Sequence, residues 1–132
     1  YYIPKTFCID GVTDHWGSDI EKNWMDSRIE LLRTRFVDNG IPVIISEYGA
    51  QSIGDEASRI YFCEKLTKLC RDNYISTFLW DDGSVLDRRT FVWKEPQLLA
   101  ALRRATSGNV YVPRKINVTE ETDTMEHGPT AD

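Results

Sequence analysis

The amino-acid sequence predicts an α/β fold in which three successive βα units build a parallel sheet. Three extended segments alternate with three segments whose apolar residues recur at helical spacing. The middle extended segment, residues 43–46, is a continuous apolar run ending in serine, which is typical of a strand buried on both faces. Doubly wound sheets and (β/α)8 barrels both show this alternation. The sequence contains no glycine-rich nucleotide-binding motif in favour of a doubly wound sheet.

The first predicted unit joins an extended segment, residues 1–7, to a long helix. That helix is expected to begin at the capping box formed by Ser18 and Glu21 and to end at Asn39-Gly40. Its apolar stripe consists of Met25, Ile29, Leu32 and Phe36.

The second and third units follow the same plan. Asp55 is expected to cap the second helix, and the third strand should span residues 75–80. Pro96 suits the first turn of the third helix. The stripe of the second helix is Phe62, Cys63, Leu66, Leu69 and Cys70, and that of the third is Leu98, Leu99 and Leu102.

Composition restricts the classes of function. The chain has 132 residues, a net charge of −5 and 41% hydrophobic residues, which is typical of a soluble globular domain and disfavours a nucleic-acid partner. No apolar run is long enough to cross a bilayer, so we expect no membrane partner. Three cysteines and two histidines predict neither a disulfide framework nor a metal centre, and we assign the cysteines to packing.

The two ends of the sequence differ from its middle. A chain that opens with Tyr1 is expected to be a processed or partial product. Residues 117–132 form a polar, acidic tail that we expect to be disordered, and residues 1–116 form the domain. Asn117-Val118-Thr119 matches the N-glycosylation pattern, which also arises often by chance.

Chemistry is expected where the parallel strands end, because functional groups of α/β folds cluster there. Those positions hold Tyr1-Tyr2, Glu47 and Trp80. Glu47 could be a nucleophile, a general base or a metal ligand, or a glutamate that simply meets solvent. Trp80 offers a flat face on which a sugar ring can stack, or it belongs to the core. The two lie one βαβ repeat apart, so they should face the same mouth.

The segments around these residues resemble glycoside hydrolase family 5, the endoglucanase family. Ile41-Pro42-Val43-Ile44-Ile45-Ser46-Glu47-Tyr48-Gly49-Ala50 resembles its nucleophile strand. Trp80-Asp81-Asp82-Gly83 resembles its last barrel strand, which usually reads Trp-Asp-Asn-Gly. Leu86-Asp87-Arg88 and Trp93-Lys94 also match, so the resemblance covers roughly residues 1–106.

The resemblance implies a role for each of five residues. Glu47 would be the catalytic nucleophile, and Tyr2 would hydrogen-bond it. Trp80 would line the −1 sugar site. Trp16 would contact substrate from the preceding loop, or else form a hydrophobic lid over the first helix. Asp82 stands where the family often has asparagine, and a sugar contact there is correspondingly in question.

The same resemblance implies a secreted, retaining endoglucanase that needs no metal or organic cofactor. Its substrate would be a β-1,4-glucan, with mannan, xyloglucan and mixed-linkage glucan as open alternatives. The chain would supply the last three βα units of a (β/α)8 barrel. It lacks the Asn-Glu-Pro motif that carries the family's general acid/base. It would therefore need the N-terminal half of the same barrel as its partner and be inactive alone. The alternative is a non-catalytic α/β fragment that binds carbohydrate or a protein.

Overall fold

The computed structural model describes residues 15–50 and 55–108. The expected first strand, Tyr2 and the acidic tail lie outside the described residues. The helices are α1 (Asp19–Arg35), α2 (Glu56–Asp72) and α3 (Pro96–Thr106), with a short 3₁₀ turn at Val37–Asn39. The strands are β1 (Val43–Tyr48), β2 (Ile75–Leu79), β3 (Leu86–Asp87) and β4 (Val92–Trp93).

Two strands form the sheet that positions the site. β1 and β2 pair in parallel and are joined through α2, as the sequence predicts. Val43 lies opposite Ile75 at the start of the ladder, and Tyr48 lies opposite Leu79 at its end. Because the two strands run in the same direction, the carboxyl ends of β1 and β2 lie at the same edge of the sheet.

The helix boundaries follow the local signals in the sequence. The side chain of Ser18 accepts the backbone N–H of Glu21, and the Glu21 carboxylate accepts the N–H of Ser18 in return, which completes the predicted capping box. Asp55 accepts the N–H of Ser58 at 2.7 Å at the start of α2. Gly40 has φ 78°, a left-handed conformation that glycine adopts at little cost.

The predicted apolar stripes form one core between the helices and one face of the sheet. Phe36 and Leu99 are the exceptions: Phe36 is 39% exposed just after the end of α1, and Leu99 is partly buried outside this core. Cys63 and Cys70 are buried as free thiols, which confirms their assignment to packing. The buried members of the stripes are Met25, Ile29, Phe62, Cys63, Leu66, Cys70 and Leu98.

The opposite face of the sheet is open in the part of the chain that the structure describes. Ile44, Phe78 and Trp80 are 61%, 58% and 57% exposed. Among the described residues β1 is therefore buried on one face only, and Ile44 does not show the burial on both faces that its apolar run predicts. The physical reason is that the described helices form a single layer, against which only alternate residues of each strand pack.

Ion pairs tie α2 to its neighbours. Lys65 of α2 reaches Asp26 of α1 at 2.6 Å. Arg59, near the start of α2, donates to Glu95 at the N-cap of α3 at 2.5 Å, and both side chains are largely buried. No described helix is long and apolar enough to cross a membrane.

A short hairpin between β2 and α3 was not predicted. β3 and β4 pair antiparallel, and each has only two residues, too few to show a period in the sequence. Asp87 builds the turn, because its carboxylate accepts the N–H groups of Arg89 and Thr90 and its carbonyl accepts that of Phe91. Phe91 takes φ 57°, which is uncommon for a residue other than glycine.

Candidate active site

Glu47 lies next to an irregularity in β1. Between the pairs Ile45–Thr77 and Tyr48–Leu79, β1 uses one residue more than β2. This is a β-bulge, in which Ser46 and Glu47 together oppose Phe78. Residues of a bulge share the face of the residue they oppose, so Glu47 lies on the open face with Phe78. Its side chain is half-buried there.

Tyr48 fixes the end of the bulge on the other face. Its side chain is 5% exposed and its hydroxyl lies 2.6 Å from the hydroxyl of Thr67 on α2. Burial raises the pKa of Tyr48 to about 12. The phenol is therefore neutral at physiological pH and acts as a structural group, while its neighbour Glu47 takes the open face.

Trp80 follows β2 directly and is hydrogen-bonded to the end of β1. Its backbone N–H donates to the carbonyl of Tyr48 at 2.7 Å. Leu79 packs against the core, so alternation turns the next residue, Trp80, to the open face. Glu47 and Trp80 thus lie at one edge and on one face of the sheet, on strands that are normally about 4.8 Å apart.

The turn after Trp80 is held by Asp81. One carboxylate oxygen accepts the N–H groups of Gly83 at 2.8 Å and Val85 at 3.0 Å. The hydrogen bonds from Val85 and Gly83 hold the pKa of the Asp81 carboxyl below its usual value. Lys94 donates to the carbonyl of Gly83 at 2.8 Å, which joins the turn to the end of the hairpin.

Asp82 lies at the tip of this turn. It accepts the backbone N–H of Ser84 at 3.0 Å, and its hydrogen bonding with Ser84 lowers the pKa of its carboxyl. The structure thus gives Asp82 a role in the turn, and its exposed carboxylate is ionised at neutral pH.

Trp16 occupies a different place from the one expected for a substrate-contacting residue. Its ring is 5% exposed and packs edge-on against Phe62 and at a tilt against Tyr61, both on α2. Neither ring face is left for a sugar. The structure therefore gives Trp16 a packing role against α2, whereas the alternative interpretation was a hydrophobic lid over the first helix.

The remaining expectations about the site concern Tyr2 and a metal centre. Tyr2 lies outside the described residues. Among residues 15–50 and 55–108, no group of three or more histidine, cysteine or acidic side chains is arranged to hold a metal ion.

Sequence reasoning missed Tyr48 and Arg59. The signal for Tyr48 was a large amphipathic residue directly after the candidate carboxylate. Its burial depends on the β-bulge, and residue types alone do not predict a bulge. The signal for Arg59 was a charged residue close to the apolar stripe of α2. Its burial is explained by the ion pair with Glu95, a contact that the sequence does not reveal.

Comparison with known families gives a consistent match. A family model described as Cellulase (glycosyl hydrolase family 5) matches residues 6–84. Cellulase/esterase CelE of Acetivibrio thermocellus is 32% identical over 78% of this chain, and the chain spans 14% of that protein. Endoglucanase B of Paenibacillus lautus is 30% identical over 55% of the chain, which again spans 14% of it.

Solved structures are similar over the same region. A GH5-4 broad specificity endoglucanase from Clostridium acetobutylicum has a TM-score of 0.70 and 29% identity, over 77% of this chain and 34% of its own. A glycoside hydrolase 5 lichenase from Caldicellulosiruptor sp. F32, solved with cellotetraose, has a TM-score of 0.67 and 26% identity. That match covers 76% of this chain and 30% of the lichenase.

Proposed function

Because the chain belongs to glycosyl hydrolase family 5, the cellulase family, we propose that it carries the nucleophile half of a retaining endoglucanase active site. Its similar structures are barrel enzymes of that family, and the described residues form part of such an α/β architecture. The substrate we propose is a β-1,4-glucan or a related β-glucan. Since such polymers are extracellular, the enzyme is expected to be secreted.

The observation that carries the proposal is the common position of Glu47 and Trp80. Both lie at the carboxyl ends of paired parallel strands, on the open face of the sheet. A carboxylate beside an exposed indole is suited to a sugar ring, because the ring can stack on Trp80 while its anomeric carbon faces Glu47. Active sites of barrel enzymes are built at this end of the strands.

The proposed reaction has two steps. Glu47 attacks the anomeric carbon and forms a glycosyl–enzyme ester, while a second carboxylic acid protonates the departing glycosidic oxygen. That second group then takes a proton from water, which hydrolyses the ester and returns Glu47 to its carboxylate form. In retaining enzymes the two carboxyl groups lie about 5 Å apart. Tyr2 is proposed to donate a hydrogen bond to Glu47 and keep it ionised.

The second carboxylic acid is proposed to come from the N-terminal half of the barrel. The open face supports this partner, because Ile44 and Phe78 expose apolar surface there that a closed barrel would bury. The unpaired edges of β1 and β2 in the described sheet would be completed in the same way. We call the closed form, in which this chain is joined to that half, the complete barrel.

The test is Glu47→Gln in the complete barrel. Glutamine keeps the shape but cannot attack, so release of reducing ends from a soluble β-glucan should fall by at least about 10⁴-fold. Binding of cellotetraose, measured by calorimetry, should be retained because Trp80 is untouched. Glu56→Gln, on the exposed first turn of α2, is the matched control and should leave turnover unchanged.

Two results would contradict the proposal. Unchanged turnover in Glu47→Gln would end the nucleophile assignment and favour a non-catalytic carbohydrate-binding role for this face. Robust hydrolysis by the 132-residue chain alone would show that no second half is needed.

A further inference from the structure

We propose that Tyr48 is a positioning residue for Glu47: the bond between its hydroxyl and Thr67 holds the bulge of β1 in the register that turns Glu47 to the open face. This inference rests on the proposed function, because it concerns how the nucleophile is aimed. It concerns a residue that makes no contact with substrate and acts through the strand.

The phase of β1 shows why the bulge matters. Val43 and Ile45 pack against the core, whereas Ile44 is exposed. A regular strand would continue this alternation, with Glu47 turned towards α2 and Tyr48 turned to the open face. A one-residue change of register inverts every later side chain, and the bulge makes that change between Ile45 and Tyr48.

The bond between Tyr48 and Thr67 selects the bulged register. Both residues are buried, at 5% and 6% exposed, and their hydroxyl oxygens are 2.6 Å apart. In the regular register the Tyr48 hydroxyl would leave this bond, and the carboxylate of Glu47 would enter the apolar layer instead. Burying an unpaired carboxylate is strongly unfavourable, so the two effects favour the same register.

The bulge also couples Glu47 to Trp80. The carbonyl of Tyr48 accepts the N–H of Trp80 at 2.7 Å, so the residue that follows the nucleophile also fixes the start of the sugar platform. The turn at Asp81 holds Trp80 independently, through its bonds to Gly83 and Val85. Loss of the Tyr48 hydroxyl should therefore disturb the aim of Glu47 more than the position of Trp80.

The experiment compares Tyr48→Phe, Thr67→Val and the double variant in the complete barrel. Each single variant removes one partner of the bond and keeps the side-chain volume. We expect kcat on a soluble β-glucan to fall about five- to tenfold in each, and the double variant to fall no further, because both changes remove the same bond. The affinity for cellotetraose, measured in the Glu47→Gln background, should change less than about twofold.

A direct readout of nucleophile aim is the rate at which 2-deoxy-2-fluoro-β-cellobiosyl fluoride labels Glu47, followed by mass spectrometry. Fluoride leaves with little acid assistance, so this rate reports the attack by Glu47. It should fall in parallel with kcat. Tyr61→Phe is the matched control, because it removes the same hydroxyl from a half-exposed ring of α2 that packs against Trp16, and it should leave both rates unchanged.

The outcomes separate the two proposals. If the wild-type barrel hydrolyses glucan but Tyr48→Phe keeps its kcat and labelling rate, the inference is wrong and the proposed function stands. An equal loss of kcat and of cellotetraose affinity would also overturn it, since a general loosening of the site would then explain the effect. If the wild-type barrel neither hydrolyses glucan nor becomes labelled, the proposed function itself fails.

Discussion

The ion pair between Arg59 and Glu95 offers the sharpest test of what holds α2 and α3 together beside the candidate site. It joins the first turn of α2 to the start of α3, and the two side chains are only 7% and 15% exposed. Removing one member of a buried pair leaves an uncompensated charge and costs about 3–5 kcal/mol. Glu95 makes no side-chain cap to α3, so Glu95→Gln removes the charge without removing a cap.

We expect Glu95→Gln to fall at the lower end of that range, about 3 kcal/mol, because the amide oxygen can still accept one hydrogen bond from Arg59. At about 1.4 kcal/mol for each factor of ten, amide hydrogen exchange in α3 should then speed up by about 100-fold. The measurement is exchange followed by mass spectrometry in the complete barrel, where peptides from α2 and α3 can be compared with peptides elsewhere.

Glu64→Gln is the matched control, because Glu64 and Arg104 also join α2 to α3 but are 28% and 60% exposed. Solvent screens an exposed pair, so exchange should change less than about fivefold. Replacing both buried charges, with Arg59→Met and Glu95→Gln together, should recover most of the loss. Equal effects of Glu95→Gln and Glu64→Gln would refute the argument, since burial would then carry no weight.

Two further predictions concern side chains around the site and in the core. Asp81→Ala should leave the N–H groups of Gly83 and Val85 unpaired and raise exchange in their turn about tenfold or more. The pKa of Asp81 is lowered in the folded chain, so its carboxylate stabilises the turn at any pH above the ordinary aspartate pKa. This stabilisation is lost as the pH falls through the pKa of Asp81 in the folded chain. Acid should therefore loosen the wild-type turn in a similar way. Burial raises the pKa of Cys63 and of Cys70 to about 12, so iodoacetamide at pH 8 should modify both only after denaturation; labelling of the native chain at peptides containing Cys63 or Cys70 would contradict their burial.

Much of the described fold could be predicted because its signals are local. Capping boxes, proline at a first turn and apolar stripes depend on residues within one or two turns of helix, and α1, α2 and α3 follow them. The β3–β4 hairpin could not be predicted this way. Its turn depends on the carboxylate of Asp87 bonding to the backbone, and a two-residue strand has no period.

The proximity of Glu47 and Trp80 could be predicted for a physical reason, whereas the packing of Trp16 could not. Parallel strands end at one edge, so Glu47 and Trp80 had to be near each other once the βαβ repeat was recognised. Trp16 lies in a loop before α1, and no periodicity decides which surface a loop residue meets. Its position depends on Tyr61 and Phe62, more than 40 residues later in the chain.

Which face a strand residue takes is the part of the site that sequence pattern predicts least. Extending the alternation of Val43 and Ile45 by one step would place Glu47 against α2, on the face opposite Trp80. The extra residue between Ile45 and Tyr48 reverses that result. The buried hydroxyl of Tyr48 lies 2.6 Å from the hydroxyl of Thr67, and Thr67 belongs to the next helix. Under the proposed positioning role of Tyr48, the face that Glu47 takes depends on a long-range polar contact that no local sequence pattern contains.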